Sequence, residues 1–94
     1  MAWESLTEQE REAIWNKLAA ALASMAIGVS MHEWKEPGPL PHWQLIVETA
    51  WCLTHSRDDI SRALAQAKDS AAVDGPMNGV VLKGPRKVHL SSRN

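Results

Sequence analysis

Residues 56–62 bring together side chains that could read base edges and bind phosphates. The polar candidates are Ser56, Arg57, Asp58, Ser61 and Arg62. A guanidinium can donate two hydrogen bonds to guanine, an aspartate can accept one from cytosine, and phosphate contacts supply most of the affinity. The carboxylates of Asp58 and Asp59 oppose this chemistry because phosphates repel them. The segment therefore predicts a nucleic-acid contact surface of weakly basic character.

A helix beginning after Ser56 would present these side chains on its exposed face. Ile60, Ala63, Leu64 and Ala67 recur at helical spacing and predict the buried face. Ser56 suits the capping position, with Asp59 three residues later. We predict this helix over about residues 57–68.

A second helix is predicted to begin near His42 and to end near Thr54. Its inner face would carry Trp43, Ile46, Val47, Ala50 and Leu53. One continuous helix across both segments is the alternative, since no strong helix breaker separates them. That helix would place Arg57 on its buried seam, so a turn near His55 is favoured.

Residues 47–64 resemble the helix-turn-helix of the lac repressor family. The matching residues are Ala50 at the helix crossing, Ser56 at the cap, Ile60 at the buried anchor, and Ser61-Arg62 after it. Thr54, His55 and Asp59 depart from the family pattern. The resemblance implies that residues 57, 58 and 62 face base edges in the major groove, and that Ser56 and Ser61 contact phosphates.

The sequence at the end of the chain predicts a basic β-hairpin. Residues 79–83 and 86–90 are two short apolar and basic runs around Gly84-Pro85. A hairpin after a recognition helix would be a wing, with Lys83, Arg86 and Lys87 on phosphates. An extended tail, or an arm that pairs with another subunit, is the alternative.

The first half of the chain predicts one long helix and a stiff connector. Thr7 and Glu10 have capping-box spacing, and apolar residues recur along one face of a helix at about residues 8–27. The prolines at 37, 39 and 41 exclude a regular helix in the connector at residues 35–41. The small residues on this helix suggest it as the surface of a homodimer, which is common among regulators of palindromic sites.

Composition places these segments in one domain over residues 1–94, with loop and hairpin or tail at 71–94. Cys52 is the single cysteine, so an internal disulfide is excluded. No apolar run is long enough for a membrane span, and the start lacks a basic signal region, so a cytoplasmic location without membrane contact is expected.

The charge distribution leaves two kinds of partner open. The net charge is −1, but residues 1–70 carry ten acidic and six basic residues, whereas residues 71–94 carry one and four. A basic tail could bind DNA or could dock on another protein. Five tryptophans and no phenylalanine or tyrosine form the aromatic inventory. Trp15 and Trp51 are predicted in the core, whereas Trp3, Trp34 and Trp43 lie near the chain start or the prolines, where burial is less assured.

The sequence offers little support for a catalytic site or a metal-binding site. The chain has no glycine-rich phosphate loop and no nucleophile elbow, so no enzyme and no cofactor are expected. Cys52 and His55 are three residues apart and could approach His32 or His42, but structural zinc sites usually bring a second close pair. No metal site is predicted.

The sequence thus predicts a mainly α protein of three principal helices, containing a helix-turn-helix at about residues 42–69 and a C-terminal hairpin. The expected function is sequence-specific binding of double-stranded DNA by a small transcriptional regulator. The alternative is a small phage-type or adaptor protein that binds and inhibits another protein through a surface of tryptophans and prolines.

Overall fold

The computed structural model describes residues 2–86, which form an α+β fold. Its elements are Glu8–Ser24 (α1), Met31–Lys35 (β1), Gln44–Glu48 (β2), Arg57–Ala71 (α2) and Val80–Lys83 (β3), with short 3-10 helices at Trp3–Ser5 and Ala50–Thr54. The strands lie in the order β1-β2-β3. β1 pairs antiparallel with β2, and β3 pairs parallel with β2. The prediction of a mainly α fold with three principal helices is wrong.

α1 begins where its capping box predicts. The Glu10 amide donates to Thr7 Oγ1 at 3.1 Å, and the Thr7 amide donates to Glu10 Oε1 at 2.8 Å. The helix ends at Ser24, slightly before the predicted end, and Ala26 takes the left-handed conformation with φ 60°. The Ile27 amide then donates to the Leu22 carbonyl at 3.0 Å, which satisfies a carbonyl of the last turn.

β2 replaces the predicted first helix of the helix-turn-helix. Leu45, Ile46, Val47 and Glu48 are all buried in succession, whereas an amphipathic helix buries one face and exposes the other. An unbroken buried run rich in branched side chains is typical of a central strand with cover on both faces. Leu53, assigned by the helical pattern to the inner face, is 68% exposed.

The core lies between the helices and one face of the sheet. Leu45 pairs with Val80 and Val47 with Leu82, so these four side chains share the face toward the helices. α1 and α2 pack against each other. α2 contributes the buried Ala63 and Ala67, whose small side chains let the two helices approach closely.

α2 agrees with the sequence prediction at its start and extends three residues beyond the predicted end. The Asp59 amide donates to Ser56 Oγ at 3.1 Å, so Ser56 is the cap that the sequence indicates. Ala72 ends the helix in the left-handed conformation, with φ 55°. Together with β2 and β3 this helix forms a β–α–β crossover, which is how a chain joins two adjacent parallel strands.

Trp3 joins the chain start to the loop before β3. Its side chain is 3% exposed, and its indole nitrogen donates to the Asp74 carbonyl at 2.7 Å. A Cβ atom on Gly75 would lie 2.5 Å from the indole ring, so only glycine fits against it. Trp3 is therefore core, whereas Trp15 and Trp51, predicted in the core, are only half-buried.

The predicted wing is also corrected. Residues 80–83 form a strand as expected, but the strand pairs with β2 inside the central sheet. Residues 84–86 are not in a strand, and the rest of the second hairpin segment, with Lys87, lies outside the described residues. β3 thus has a parallel partner from the middle of the chain, which the hairpin prediction did not include.

Candidate functional site

The residues predicted to contact DNA lie together at the start of α2. Arg57, Asp58, Ser61 and Arg62 are all exposed there. Arg62, however, donates from its guanidinium to Asp59 Oδ1 at 2.5 Å. The pKa of Asp59 is lowered from its ordinary value of 3.8, first by the hydrogen bond from Arg62 and then by the one from Ser56. The Arg62 guanidinium, which the sequence predicts to pair with guanine, therefore forms an ion pair within α2.

Of the basic residues predicted on the wing, Lys83 and Arg86 lie within the described residues 2–86. Lys83 ends β3 and is exposed. Arg86 donates to Glu33 Oε1 at 3.3 Å, and its backbone amide donates to Glu48 Oε1 at 3.1 Å. Because β2 and a short 3-10 helix lie where the α-helix before His55 was predicted, the helix-turn-helix interpretation is wrong, and DNA binding stays a prediction without that motif.

A cleft of about 510 Å³ lies between α1 and β1. A volume of this size falls within the range of pockets that hold ligands. α1 contributes residues one and two turns apart on a single face, and β1 contributes alternate residues of one sheet face. The lining residues are Glu8, Arg11, Glu12, Trp15, Asn16, His32, Trp34, Glu36 and Trp43. We call this recess the α1–β1 cleft.

Aromatic rings give the α1–β1 cleft most of its apolar surface. The rings of Trp15 and His32 stack with centroids 4.0 Å apart. The rings of Trp34 and Trp43 meet edge to face at 6.5 Å. All three tryptophans are half-buried, so part of each remains available to a ligand. Tryptophan in this position is characteristic of binding surfaces.

Hydrogen bonds from outside the cleft hold Trp43 in place. Its backbone amide donates to the Trp3 carbonyl at 2.9 Å. The buried His42 donates from Nδ1 to the Trp43 carbonyl at 2.8 Å, and its Nε2 lies 3.0 Å from the Asn78 side-chain oxygen. The loop after the prolines is therefore fixed at this point, and the ring of Trp43 is presented by a supported backbone.

Charge in the α1–β1 cleft is mostly negative. Three carboxylates, of Glu8, Glu12 and Glu36, line it beside one guanidinium, of Arg11. That guanidinium donates to the Leu6 carbonyl at 2.8 Å and lies 3.9 Å above the Trp43 ring centre. Within residues 2–86, none of the three carboxylates has a cationic side chain within 4.0 Å. The cleft therefore combines aromatic surface with carboxylates that form no ion pair within residues 2–86.

Sequence reasoning named only part of this cleft. The sequence indicates uncertain burial for Trp34 and Trp43, but it predicts Trp15 in the core and places Glu8, Arg11 and Glu12 in the first helix without a binding role. Their spacing was the available signal, because positions 8, 11, 12, 15 and 16 share one side of a helix. The structure adds His32 and Trp34 to that side from β1.

The histidines of residues 2–86 and the cysteine do not form a metal cluster. Cys52 is buried, and burial raises the pKa of its thiol above the ordinary 9.0. His55 stacks on Trp51 at 3.7 Å and donates from Nδ1 to its carbonyl at 2.7 Å. Across residues 2–86, no three side chains of histidine, cysteine, aspartate or glutamate converge as a metal site would require.

Comparison with known proteins identifies no relative. No family model, no curated protein and no solved structure matches this chain. In the described part of the chain, neither helix combines the length and the apolar character that crossing a bilayer needs. The function must therefore be argued from the α1–β1 cleft itself.

Proposed function

We propose that this protein is an interaction module that binds an extended segment of another protein in the α1–β1 cleft. The observation that supports this most directly is the convergence of Trp15, Trp34 and Trp43, half-buried, on one recess. Aromatic anchors in a central pocket dominate the energetics of protein interfaces. Trp34 and Trp43, two tryptophans near the prolines in the sequence, are among the residues that line this cleft.

The position of β1 supports an extended ligand. β1 is at the edge of the described sheet, where an added strand can pair with free backbone groups. His32 and Trp34 lie on alternate positions of β1 and line the cleft. A strand added beside β1 would present every second side chain on that same face, next to the cleft.

Selection from a displayed library of random peptides tests the proposal. We expect clones selected on the wild-type protein to lose binding to Trp34→Leu, which removes one ring of the cleft. Trp51→Leu is the matched control, because Trp51 is also half-buried but stacks on His55 away from the cleft. Circular dichroism of each variant verifies that it is folded.

Two results would contradict this function. One is enrichment of no clone, and the other is clones that bind Trp34→Leu and Trp51→Leu equally well. The DNA-binding prediction would instead be favoured by a mobility shift of double-stranded DNA whose affinity rises as the salt concentration falls. That shift should be lost in Arg57→Ala.

A further inference from the structure

We infer that the ligand of the α1–β1 cleft is a basic strand, a segment with lysine or arginine at every second position. This inference rests on the proposed function and specifies its partner. The cations would lie between the exposed ring surfaces of Trp15 and Trp34 and the carboxylates of Glu8, Glu12 and Glu36. The partner is thus identified by its chemistry, as a protein with an alternating basic and neutral extended segment.

The balance of charge in the cleft favours a cation. Its three carboxylates face one guanidinium, which leaves two formal negative charges in a recess of about 510 Å³. The single guanidinium is already bound to the Leu6 carbonyl and to the Trp43 ring. An incoming basic side chain would therefore meet carboxylates that no cation within residues 2–86 neutralises.

Glu8 and Glu12 lie one turn apart on α1 and repel each other. A like-charged pair at this spacing destabilises a helix. The positive end of the helix dipole offsets part of this cost near the start of α1. A bound cation between the two carboxylates would remove the repulsion, so the pair is better suited to the occupied cleft than to the empty one.

Arg11 and Trp43 already make, inside the chain, the contact that the ligand would repeat. The Arg11 guanidinium lies 3.9 Å above the ring centre of Trp43, well within the range of a cation–π interaction. That ring face is thereby taken. Trp15 has one face against His32. Among residues 2–86, no arginine or lysine lies over the remaining surface of Trp15 or Trp34. Both rings line the cleft together with the carboxylates.

The strand geometry sets the spacing of the ligand's basic residues. Side chains on one face of a strand recur about every 6.6–6.8 Å, at every second residue. His32 and Trp34 show this spacing on β1 and face the cleft. A ligand strand paired along β1 would bring alternate side chains to the same face, whereas adjacent basic residues would point to opposite faces.

Titration with three end-blocked peptides of about eight residues tests the inference. One alternates lysine with threonine, one has the same composition with its lysines contiguous, and one alternates glutamate with threonine. We expect the alternating lysine peptide to bind at least about threefold more tightly than the contiguous one, with affinity falling as salt rises. No binding is expected for the glutamate peptide.

Matched variants locate the effect. Glu8→Gln with Glu12→Gln should weaken binding of the alternating lysine peptide several-fold, and Trp34→Leu should weaken it about two- to fivefold. Glu4→Gln is the control, because Glu4 is an exposed glutamate outside the cleft. It should leave the affinity unchanged.

The outcomes separate this inference from the proposed function. Equal affinity for the alternating and contiguous peptides, or an unchanged affinity after the double glutamine substitution, would overturn the basic strand. If the library selection nonetheless yields clones that depend on Trp34 but lack basic residues, the cleft still binds protein segments and only the inferred charge of the ligand is wrong.

Discussion

Arg62 illustrates how one side chain can satisfy a motif and still serve a structural purpose. Its position after Ile60 and Ser61 suggests a base-reading residue, yet its guanidinium binds the Asp59 carboxylate one turn earlier. Ser56 caps the same turn through the Asp59 amide. Local hydrogen bonds of this kind stabilise the start of a helix without any external ligand.

Asp59 gives this network a pH dependence with a definite sign. Its pKa in the folded protein is lowered from 3.8, chiefly by the hydrogen bond from Arg62. A carboxyl with a lowered folded-state pKa stabilises the fold above its unfolded-state pKa, and that contribution is lost as pH falls through the folded-state value. We expect Asp59→Asn to be less stable than wild type near neutral pH and to converge with it in strong acid.

Thermal unfolding of both proteins across the acidic range measures this convergence. Asp58→Asn is the control, since the Asp58 carboxylate has no cationic side chain within 4.0 Å among residues 2–86. That variant should keep the pH dependence of the wild type. A stability difference between Asp59→Asn and wild type that is the same at every pH would argue against the Arg62 contact.

At the scale of elements, the residues at which helices begin are determined by their neighbours in the sequence, whereas strands depend on distant segments. Both helices begin at the residues that their capping patterns predict, Thr7 before α1 and Ser56 before α2. The sequence predicts a helix over β2 because a short contiguous apolar run does not distinguish a buried strand from a helix. Its central place in the sheet depends on β1 and β3, which lie on either side of it.

Removal of the α2 cap should have a larger effect than removal of another serine in the same helix. Ser56→Ala leaves the Asp59 amide without its acceptor, so we expect the free energy of unfolding to fall by about 1 kcal/mol. Ser61→Ala is the control, because Ser61 is exposed within α2 and alanine is the better helix former. Urea unfolding measures both, and an equal loss in the two variants would contradict the cap.

On the scale of the whole molecule, Arg86 ties the end of the described chain to the far face of the sheet. Glu48 is 4% exposed, on the face opposite Leu45 and Val47. Its Oε1 accepts from the Arg86 amide, and the Arg86 Nε lies 3.6 Å from its Oε2. Glu33 on β1 also accepts from Arg86. Arg86, which follows β3 in the chain, thus contacts side chains of both β1 and β2.

Arg86→Ala should destabilise the protein because it leaves a buried carboxylate without its cation. The Arg86 side chain is 62% exposed, so solvent screening limits the expected loss to about 1 kcal/mol. Addition of Glu48→Gln should recover part of that loss. Arg62→Ala breaks an ion pair in which both side chains are exposed, so it should lower the free energy of unfolding by less than Arg86→Ala does. Additive effects of Arg86→Ala and Glu48→Gln in urea unfolding would contradict the pairing.

The proposed basic-strand ligand also belongs to this scale. The α1–β1 cleft needs the first helix, the edge strand and the loop before β2 at the same time. Neither a single element nor a short motif contains it. Residues 56–62 form a contiguous pattern that is visible in the sequence, whereas the residues of the cleft are distant from one another along the chain.

The order of residues was sufficient for features whose hydrogen bonds span one helical turn. It predicted α1 from Thr7 and Glu10, α2 from Ser56, and an extended segment near residues 80–83, because each depends on neighbours a few positions away. Tertiary pairing had to select strand over helix for residues 44–48, since strand hydrogen bonds require partners from distant segments. The same pairing brought His32 of β1 against Trp15 of α1, and it formed the negative cleft on which the proposed function rests.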